Sequence, residues 1–340
     1  MKLSRRSHRE WRIIFWVSLA SAAASAWFGL RIEPDDPPLQ AMARGVLSSL
    51  VIATPIVLVQ VKGGPRRLRR LPYVAFFAVK VVFYAVVIVG GLLLVRYLFE
   101  RGGVPFDEQF RRSLVFAILM SVVGNLFFDM GMLLGFGTLT SIFLGRYAKP
   151  RREERTFLLI DMKDSTGLAE RLGPVPFHEL LNDFFRDISS AALECGAEIH
   201  KYVGDEVILT WKSETALGDG ECLSCPFIAQ DFIEANRQRY LGRFGAVPAL
   251  RAASHYGEIV TGEIGDVRRE IAYVGDTLNV AARLLEAAKE LGRDVLVSTD
   301  LLEHAALPPE LKAERLPTLT VRGRAAPLGI AALARSGASS

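Results

Sequence analysis

Four long apolar segments in the first 145 residues constrain this chain more than any other feature of its sequence. They run over roughly Ile13–Leu30, Val46–Val61, Tyr73–Phe99 and Ser113–Leu144, and the second is the weakest because it contains Pro55. Each is close to or longer than the roughly 18–20 residues that cross a bilayer as a helix. The sequence therefore predicts a four-helix transmembrane bundle, followed from about Arg155 by a soluble domain.

Basic residues indicate how the four segments are oriented. They cluster in three places, at Lys2, Arg5, Arg6, Arg9 and Arg12, then Lys62, Arg66, Arg67, Arg69 and Arg70, then Arg146, Lys149, Arg151 and Arg152. The two loops on the opposite side, RIEPDDPPLQ and ERGGVPFDEQFRR, are acidic and mixed. Because basic loops stay in the cytoplasm, we expect a multi-pass protein of the cell (inner) membrane with both termini and the soluble domain cytoplasmic. A cleaved signal peptide is the alternative for the first segment, but it lacks a clear small-residue cleavage site.

The same topology explains the formal net charge of +4. The arginine clusters lie where anionic lipid headgroups would meet them, so the bilayer is an expected partner and nucleic-acid binding is not needed to account for the charge. We divide the chain into a transmembrane domain over 1–145, a basic juxtamembrane linker over 146–155 and a globular domain over 156–340.

Two ionisable residues interrupt the apolar segments. Lys80 lies in the third and Asp129 in the fourth, and such groups cost several kcal/mol in hydrocarbon unless they are paired or hydrated. They either face each other in the bundle, or Lys80 extends to the cytoplasmic interface while Asp129 occupies a water-filled pocket. Whether the membrane domain binds an unknown ligand or only anchors the chain stays open.

The three cysteines, Cys195, Cys222 and Cys225, all fall in the part placed in the reducing cytoplasm, where disulfides rarely persist. The segment CLSC has the spacing of a zinc or redox motif, but a zinc site needs two further ligands and none pairs with it obviously. A loop or the first turn of a helix is the favoured interpretation of Cys222 and Cys225.

An acidic residue follows the first strand of the globular domain. TFLLI (156–160) is a continuous apolar run typical of a strand buried on both faces, and it ends directly in Asp161. The next segment, MKDSTGLAERLG, is a turn leading into a helix, whose free backbone N–H groups suit phosphates. Ser165 and Thr166 are also ordinary residues at a helix start, so this segment alone is weak evidence.

A second acidic residue lies in a predicted hairpin. AEIHKYV and EVILTW are strand-like and are joined by Gly204-Asp205. Gly-Asp is a favoured turn pair whatever the function. Yet Asp161 and Asp205 together would give two carboxylates beside each other, the kind of oxygen ligands that Mg²⁺ takes along with substrate phosphates.

Further along, ASHYGEIVTGEIG predicts a pair of strands with glycines at the bends. REIAYVGDTLNVAARLLEAAKELG then predicts a strand, a turn and a helix. Asn279 and Arg283 are four residues apart and so lie on one face of that helix. An arginine at this position could bind a phosphate bidentately.

These motifs together resemble the catalytic domain of the class III nucleotidyl cyclases, over roughly Phe157 to Leu333. The resemblance rests on LIDMKDST, HKYVGDEVI, HYGEIVTGEIG, YVGDTLNVAAR and the terminal VRGR. It implies an α/β sandwich of ferredoxin-like type, two Mg²⁺ or Mn²⁺ ions per active site, ATP as substrate, and a homodimer whose two composite sites each draw residues from both protomers.

The resemblance also assigns roles by position. The metal ligands would be Asp161 and Asp205, the triphosphate cradle Met162, Lys163, Asp164, Ser165 and Thr166, the adenine contact Lys201, the ribose contact Asn279, the transition-state arginine Arg283, and the terminal-phosphate contact Arg322 or Arg324. The implied activity is adenylate cyclase: the ribose 3′-hydroxyl attacks the α-phosphorus in line and pyrophosphate leaves.

One position departs from the family pattern. Ala272 stands three residues before Gly275, where adenine-specific members place Asp, Thr or Ser. Its side chain cannot hydrogen-bond a base, whereas Lys201 still favours adenine over guanine. The alternatives are a guanylate cyclase, a diguanylate cyclase suggested by the GDE turn, or a membrane receptor whose cyclase-like domain binds nucleotide without catalysis.

Overall fold

The computed structural model describes residues 5–32, 37–62, 73–99, 108–134, 139, 145–147, 149–213, 217–267, 270–320 and 327–337. Its Cα positions separate into two compact units, Met1–Phe136 and Gly137–Ser340. Each unit is described on its own below.

The first unit consists of long apolar helices. In the described residues these are α1 (Arg5–Ile32), α2 (Pro38–Lys62), α3 (Tyr73–Phe99) and α4 (Glu108–Leu134). All four are long and apolar enough to cross a membrane, over Trp11–Arg31, Pro38–Val61, Ala78–Phe99 and Glu108–Gly131. The prediction of four such helices is confirmed.

Two helix starts differ from the sequence-based estimate. α2 begins at Pro38 rather than Val46, because a proline at the first helical position loses no hydrogen bond. α4 begins at Glu108 rather than Ser113, and Glu108 pairs with Arg112 one turn later at 3.1 Å. Beyond Leu134, the predicted continuation to Leu144 lies outside the described residues except for Leu139.

Helices α1 and α2 pack with their backbones in close contact through two glycines. A Cβ added to Gly45 would lie 2.2 Å from the carbonyl oxygen of Ser25, and one added to Gly29 would lie 2.5 Å from that of Ala41. Small residues at helix crossings permit this approach in membranes, where packing replaces the hydrophobic effect as the driving force. Because backbone atoms cannot move aside as a flexible side chain can, these two positions admit only glycine.

Replacing Gly45 by alanine should therefore weaken the α1–α2 contact. We expect Gly45→Ala to lower the melting temperature of the purified full chain in detergent. Gly90→Ala is the matched control, because Gly90 also lies within an apolar helix but has no atom within 4 Å of its added Cβ, and alanine favours helix by about 1 kcal/mol. Equal melting temperatures for Gly45→Ala and the wild type would contradict the packing described.

Polar side chains from three helices join into one network in the first unit. Lys80 Nζ lies 3.7 Å from Asp129 Oδ1, which supports the interpretation that these two residues face each other. Asn125 Nδ2 donates to Asp129 Oδ2 at 3.3 Å, and Gln60 Nε2 donates to Asn125 Oδ1 at 2.6 Å and to the Tyr84 hydroxyl at 2.8 Å. The network ties α2, α3 and α4 together through groups that would be costly if unpaired in hydrocarbon.

The second unit is a mixed sheet with helices on both faces. Its strands are β1 (Arg151–Met162), β2 (Glu198–Val203), β3 (Glu206–Lys212), β4 (Leu250–Ile264), β5 (Glu270–Val274), β6 (Val295–Ser298), β7 (Leu311–Leu319) and β8 (Leu328–Arg335). Its helices are α5 (Ser165–Leu172), α6 (Pro174–Glu194), α7 (Glu221–Ala235), α8 (Arg237–Phe244), α9 (Asp276–Glu290) and α10 (Thr299–His304).

Strand β1 lies inside this sheet, in the order β2-β3-β1-β4-β6-β8-β7, with β5 also paired to β4. Its even-numbered residues, such as Leu158 and Ile160, pack with α6 and α7. Its odd-numbered residues, Phe157 and Leu159, pack with α9. Burial on both faces explains the continuous apolar run, and the prediction of an α/β domain is confirmed.

The sheet differs from expectation at two places. ASHYGEIVTGEIG forms one continuous strand, β4, because it pairs with β1 from Leu250 to Thr261, so the predicted strand pair is wrong. Gly257 lies within the strand, opposite Arg155, rather than at a bend, and an added Cβ there would meet Thr277 Oγ1 at 2.9 Å. β1 itself begins at Arg151, so the second half of the segment assigned to the linker is strand.

Candidate active site

The structure brings the two predicted acidic residues together. Asp161 lies near the end of β1, and Asp205 follows Gly204 in the turn between β2 and β3, two strands that form the predicted hairpin. Gly204 has φ +62°, the left-handed conformation that this turn requires. The two carboxyl groups are within hydrogen-bond distance of each other, so residues 44 positions apart in the chain form one acidic site.

The two carboxyl groups are unfavourable neighbours when both are ionised. Burial, and then the neighbouring Asp205 carboxylate, raise the pKa of Asp161 to about 6, while Arg251 on β4 acts in the opposite direction. Glu206, which faces Asp161 across the β1–β3 ladder, has its pKa raised to about 7 by burial and by the same two aspartates. Three acidic groups therefore share a partly buried region where full ionisation is unfavourable without a cation.

This arrangement fits divalent metal ions that are held partly by substrate. Within the described ranges, no three His, Cys, Asp or Glu side chains are arranged to hold a metal ion without other ligands. Mg²⁺ commonly takes one or two carboxylates together with phosphate oxygens and water. Asp161 and Asp205 are the residues that would hold the ions, and the repulsion between them is what a cation would relieve.

Sequence reasoning missed Glu206 and Arg251. Glu206 is the last letter of GDE, but its nearness to Asp161 depends on the register of β1 against β3. Arg251 lies opposite Asp161 in the β1–β4 ladder, and its Nε is buried without a hydrogen-bond partner in the described structure. In the sequence this arginine is only the third letter of ALRAAS (249–254), and no spacing rule links it to a residue 90 positions earlier.

The turn after β1 has the geometry expected of an anion cradle. Asp164 has φ +53°, the one positive φ outside glycine among the described residues, and its side chain makes no capping hydrogen bond to α5. The N–H groups at the start of α5 therefore lack a side-chain cap. Lys163 is fixed from both sides, with its N–H donating to Ala249 O at 2.8 Å and its ammonium paired with Asp294. Whether Met162 to Thr166 bind a triphosphate stays a prediction.

The two residues assigned to the base lie on β2 and β5. Lys201 is paired in register with Ile208, whose side chain packs on the α9 side of the sheet. Its Nζ is 3.9 Å from Glu270 Oε2, and both side chains are about half exposed. Ala272 is half-buried on the same strand as Glu270 and two residues after it, so both lie on one face of β5. The structure thus brings the two predicted base-reading strands together.

The residues on α9 are exposed and lie on one face of the helix. Asn279 Nδ2 donates to Gly275 O at 3.4 Å. Arg283 Nη1 pairs with Glu286 at 2.7 Å, with half of each side chain exposed. The opposite face of α9 is buried, through Val280, Ala281, Leu284 and Leu285. Arg322 and Arg324 lie outside the described residues.

The cysteines form a buried group away from these residues. Cys195, Cys222 and Cys225 are free thiols in the core formed with α6 and α7. Helix α7 begins at Glu221, which supports the interpretation of CLSC as the first turn of a helix. Burial raises the pKa of Cys222 to about 12, and a hydrogen bond with Cys195 together with burial raises that of Cys225. Thiols in this state are unreactive.

A cation that binds the acid pair should stabilise the folded protein. We expect Mn²⁺ at saturating concentration to raise the melting temperature of the detergent-solubilised chain by about 3 °C or more, because it binds the folded state selectively. Asp205→Asn should abolish this rise. Asp231→Asn is the control, since Asp231 is a surface carboxylate paired with Arg335. The same rise in Asp205→Asn as in the wild type would contradict this assignment.

Comparison with known proteins gives a consistent result. The family model of the adenylate and guanylate cyclase catalytic domain matches residues 147–328. Adenylate cyclase 2 of Rhizobium meliloti (strain 1021) is 36% identical over 274 residues, covering 79% of this chain and 76% of the relative. That match is longer than the whole chain from residue 147 onward, so it includes part of the helical unit. The adenylate cyclase of Anabaena cylindrica is 26% identical over 160 residues, covering 45% of this chain and 31% of the relative.

One solved structure supports the fold. A bacterial light-regulated adenylyl cyclase superimposes with a TM-score of 0.54 at 16% identity, covering 66% of this chain and 65% of that one. Identity at this level shows a common fold and no more.

Proposed function

Because this chain belongs to the adenylate and guanylate cyclase catalytic domain family, we propose that it is a membrane-bound adenylate cyclase that converts ATP to 3′,5′-cyclic AMP and pyrophosphate. The observation that carries the proposal is the Asp161–Asp205 pair, two carboxyl groups within hydrogen-bond distance at the end of a buried strand. Two Mg²⁺ or Mn²⁺ ions bound there would lower the pKa of the ribose 3′-hydroxyl and offset the charge of the triphosphate.

The chain's own residues supply binding and orientation. Backbone N–H groups from Met162 to Thr166 receive the phosphates, and Lys201 donates to the base. The ribose 3′-hydroxyl gives its proton to solvent water as the O3′–Pα bond forms, the bond from Pα to the β-phosphate oxygen breaks, and that oxygen keeps the electron pair as pyrophosphate leaves. Arg283 donates to the phosphoryl oxygens as charge builds on them, while Asn279 holds the ribose in line for attack.

The active site is completed by a second copy of the chain. Asn279 and Arg283 point outward from α9 and are exposed, although their proposed role requires burial against a nucleotide. In a two-fold symmetric dimer, each pair of aspartates from one protomer would meet Lys201, Asn279 and Arg283 of the other. A homodimer would then contain two equivalent composite sites.

The four apolar helices would place this enzyme in the cell (inner) membrane. The positive-inside rule puts the basic segments, and the catalytic domain that follows α4, on the cytoplasmic side, where ATP is available. The bilayer is then a partner of the first unit, and no nucleic acid is needed to explain the basic charge.

Complementation of two inactive variants tests the composite site directly. Asp161→Asn and Arg283→Ala should each lower cyclic AMP formation by about a hundredfold or more, since each removes an interaction made in the transition state. Co-expressed, the two variants should recover about a quarter of wild-type activity, because half of the dimers would be mixed and one of their two sites would be intact. The assay is cyclic AMP formed from ATP with Mn²⁺ by purified full-length chains.

Three results separate this proposal from its alternatives. Recovery in the mixed sample supports a composite homodimeric site. Two active single variants would overturn the roles of Asp161 and Arg283. Nucleotide binding without any product in the wild type would favour a nucleotide-binding receptor with an inactive cyclase-like domain.

Ala272 makes guanylate cyclase the second candidate. An alanine side chain offers no hydrogen bond to distinguish adenine from guanine, so base selection depends on Lys201 and on backbone groups of β5. We expect ATP to be preferred over GTP, and Lys201→Ala to reduce that preference by about tenfold or more in kcat/KM, since a lost base contact is worth roughly 1–3 kcal/mol. Lys312→Ala, an exposed lysine on β7, serves as the control. A wild type that prefers GTP would reverse the assignment.

A further inference from the structure

A buried arginine joins the two base-reading strands without lying on either. Arg155, on β1, is 1% exposed and is among the largest fully buried side chains in the described residues. It comes just before the apolar run of β1, on the α9 side, the side to which Phe157 and Leu159 also point. A charged group is this deeply buried only when its donors are satisfied.

Its guanidinium binds groups from three directions. Nε donates to Glu153 Oε2 at 2.9 Å, Nη1 to Glu198 Oε2 at 3.1 Å, and Nη2 to the Tyr147 hydroxyl at 3.2 Å. The guanidinium also lies over the ring of Tyr273, 4.9 Å from its centroid. Only a planar fork with donors on three nitrogens can reach all of these groups at once, since a lysine ammonium is a single point charge.

Two of these partners lie close in sequence to the base-reading residues. Glu198 is on β2, three positions before Lys201, and Tyr273 follows Ala272 on β5. The Tyr273 ring also meets the His200 ring at 4.6 Å. Burial lowers the pKa of His200 to about 4, so this contact is between two uncharged rings at neutral pH.

Side chains, rather than ladder hydrogen bonds, connect these two strands. β2 pairs with β3, and β5 pairs with β4, so the two are not neighbours in the strand order. The contacts between them are the Lys201–Glu270 pair at their exposed side and the buried cluster of Arg155, Tyr273, Glu198 and His200. A change at Arg155 would therefore move Lys201 and Ala272 relative to each other without touching a nucleotide.

Tyr147, another partner of Arg155, comes before the first strand of the sheet in the chain. Tyr147 is buried, and its carbonyl accepts a hydrogen bond from Glu263 N of β4 at 3.1 Å. It precedes β1, in the segment of chain that follows the apolar helices. Pro150 packs beside it against Gly262, where an added Cβ would lie 3.2 Å from Pro150 Cα. The segment is thus fixed to β4, the strand that pairs with β5 and places Gly262 opposite Ala272.

We propose that Arg155 is a positioning residue for the nucleotide base, holding β2 and β5 at the spacing that Lys201 and Ala272 need, and that Tyr147 couples this spacing to the segment leading from the membrane helices. The inference rests on the proposed function, because it takes Lys201 and Ala272 as the base subsite. It adds two residues that do not contact the substrate and that no motif in the sequence marks.

Steady-state kinetics of the full chain can test this role. Arg155→Lys keeps the charge but loses the fork, so the KM for ATP should rise about tenfold while kcat falls by less than about threefold, with a reduced ATP-over-GTP ratio in kcat/KM. Tyr147→Phe removes one hydrogen bond and should raise the KM in the same direction by about threefold. Both chains are assayed in detergent with Mn²⁺, alongside their melting temperatures.

Tyr240→Phe is the matched control for stability. Tyr240 is also buried, and its hydroxyl donates to Asp187 at 2.6 Å, in a network between α6 and α8 on the other side of the sheet. This variant should lower the melting temperature but leave the KM and the base preference unchanged. A KM change in Tyr240→Phe as large as that in Tyr147→Phe would mean that loss of stability alone moves the KM, and would overturn the proposal.

The remaining outcomes separate this inference from the function on which it rests. A wild type that makes no cyclic nucleotide overturns the proposed function and this inference with it. An active wild type with unchanged KM and base preference in Arg155→Lys overturns the inference alone. If Arg155→Lys does not fold, the Tyr147→Phe variant takes its place. An active wild type with an unchanged KM in Tyr147→Phe then overturns the inference alone.

Discussion

The candidate site of the second unit is organised by the repulsion between Asp161 and Asp205. Two carboxyl groups at hydrogen-bond distance oppose each other as soon as both are ionised, and burial makes this more unfavourable. The arrangement persists because each acid is held by something stronger than the repulsion. Asp161 ends a strand buried on both faces and paired along its length with β3 and β4, and Asp205 occupies a turn whose conformation Gly204 makes possible. The packing of the sheet thus holds the two acids together although they repel each other, and a bound cation would offset that repulsion.

The two faces of the sheet have different tasks. The face that packs on α6 and α7 is closed and largely apolar, with the three cysteines and Trp211 inside it. The face toward α9 contains the acid pair, the two strands of the proposed base subsite and the buried arginine. Because the side chains of a strand alternate between faces, β1 contributes to both sides with a single run of residues, and its rigid core positions Asp161 without a separate supporting element.

Much of the fold and part of the candidate site could be predicted from the sequence, and physical reasons explain which predictions were right and which were wrong. The apolar helices, strand β1, the β2–β3 hairpin and helix α9 are specified by local patterns of hydrophobicity and turn residues, so they were predicted. The nearness of Asp161 to Asp205 was also predictable, since a buried strand and its neighbouring hairpin leave few places for their ends. Glu206, Arg251 and Arg155 could not be identified, because their importance comes from register and from contacts between strands distant in sequence. The bends predicted at the glycines of ASHYGEIVTGEIG were wrong, because this segment pairs with β1 and because Gly257 leaves room for a neighbouring threonine rather than turning the chain.

The burial of Arg155 has a consequence for how chains of this kind can diverge. Its guanidinium pairs with Glu153 and Glu198 and lies over an aromatic ring, so an apolar replacement would leave the largely buried Glu153 without its counter-charge and Glu198 without its partner. Such a replacement can persist through descent only if the acids and the ring change in the same lineage. The four positions should therefore behave as one inherited unit, and relatives with a different residue at position 155 should carry a different set at 153, 198 and 273 as well.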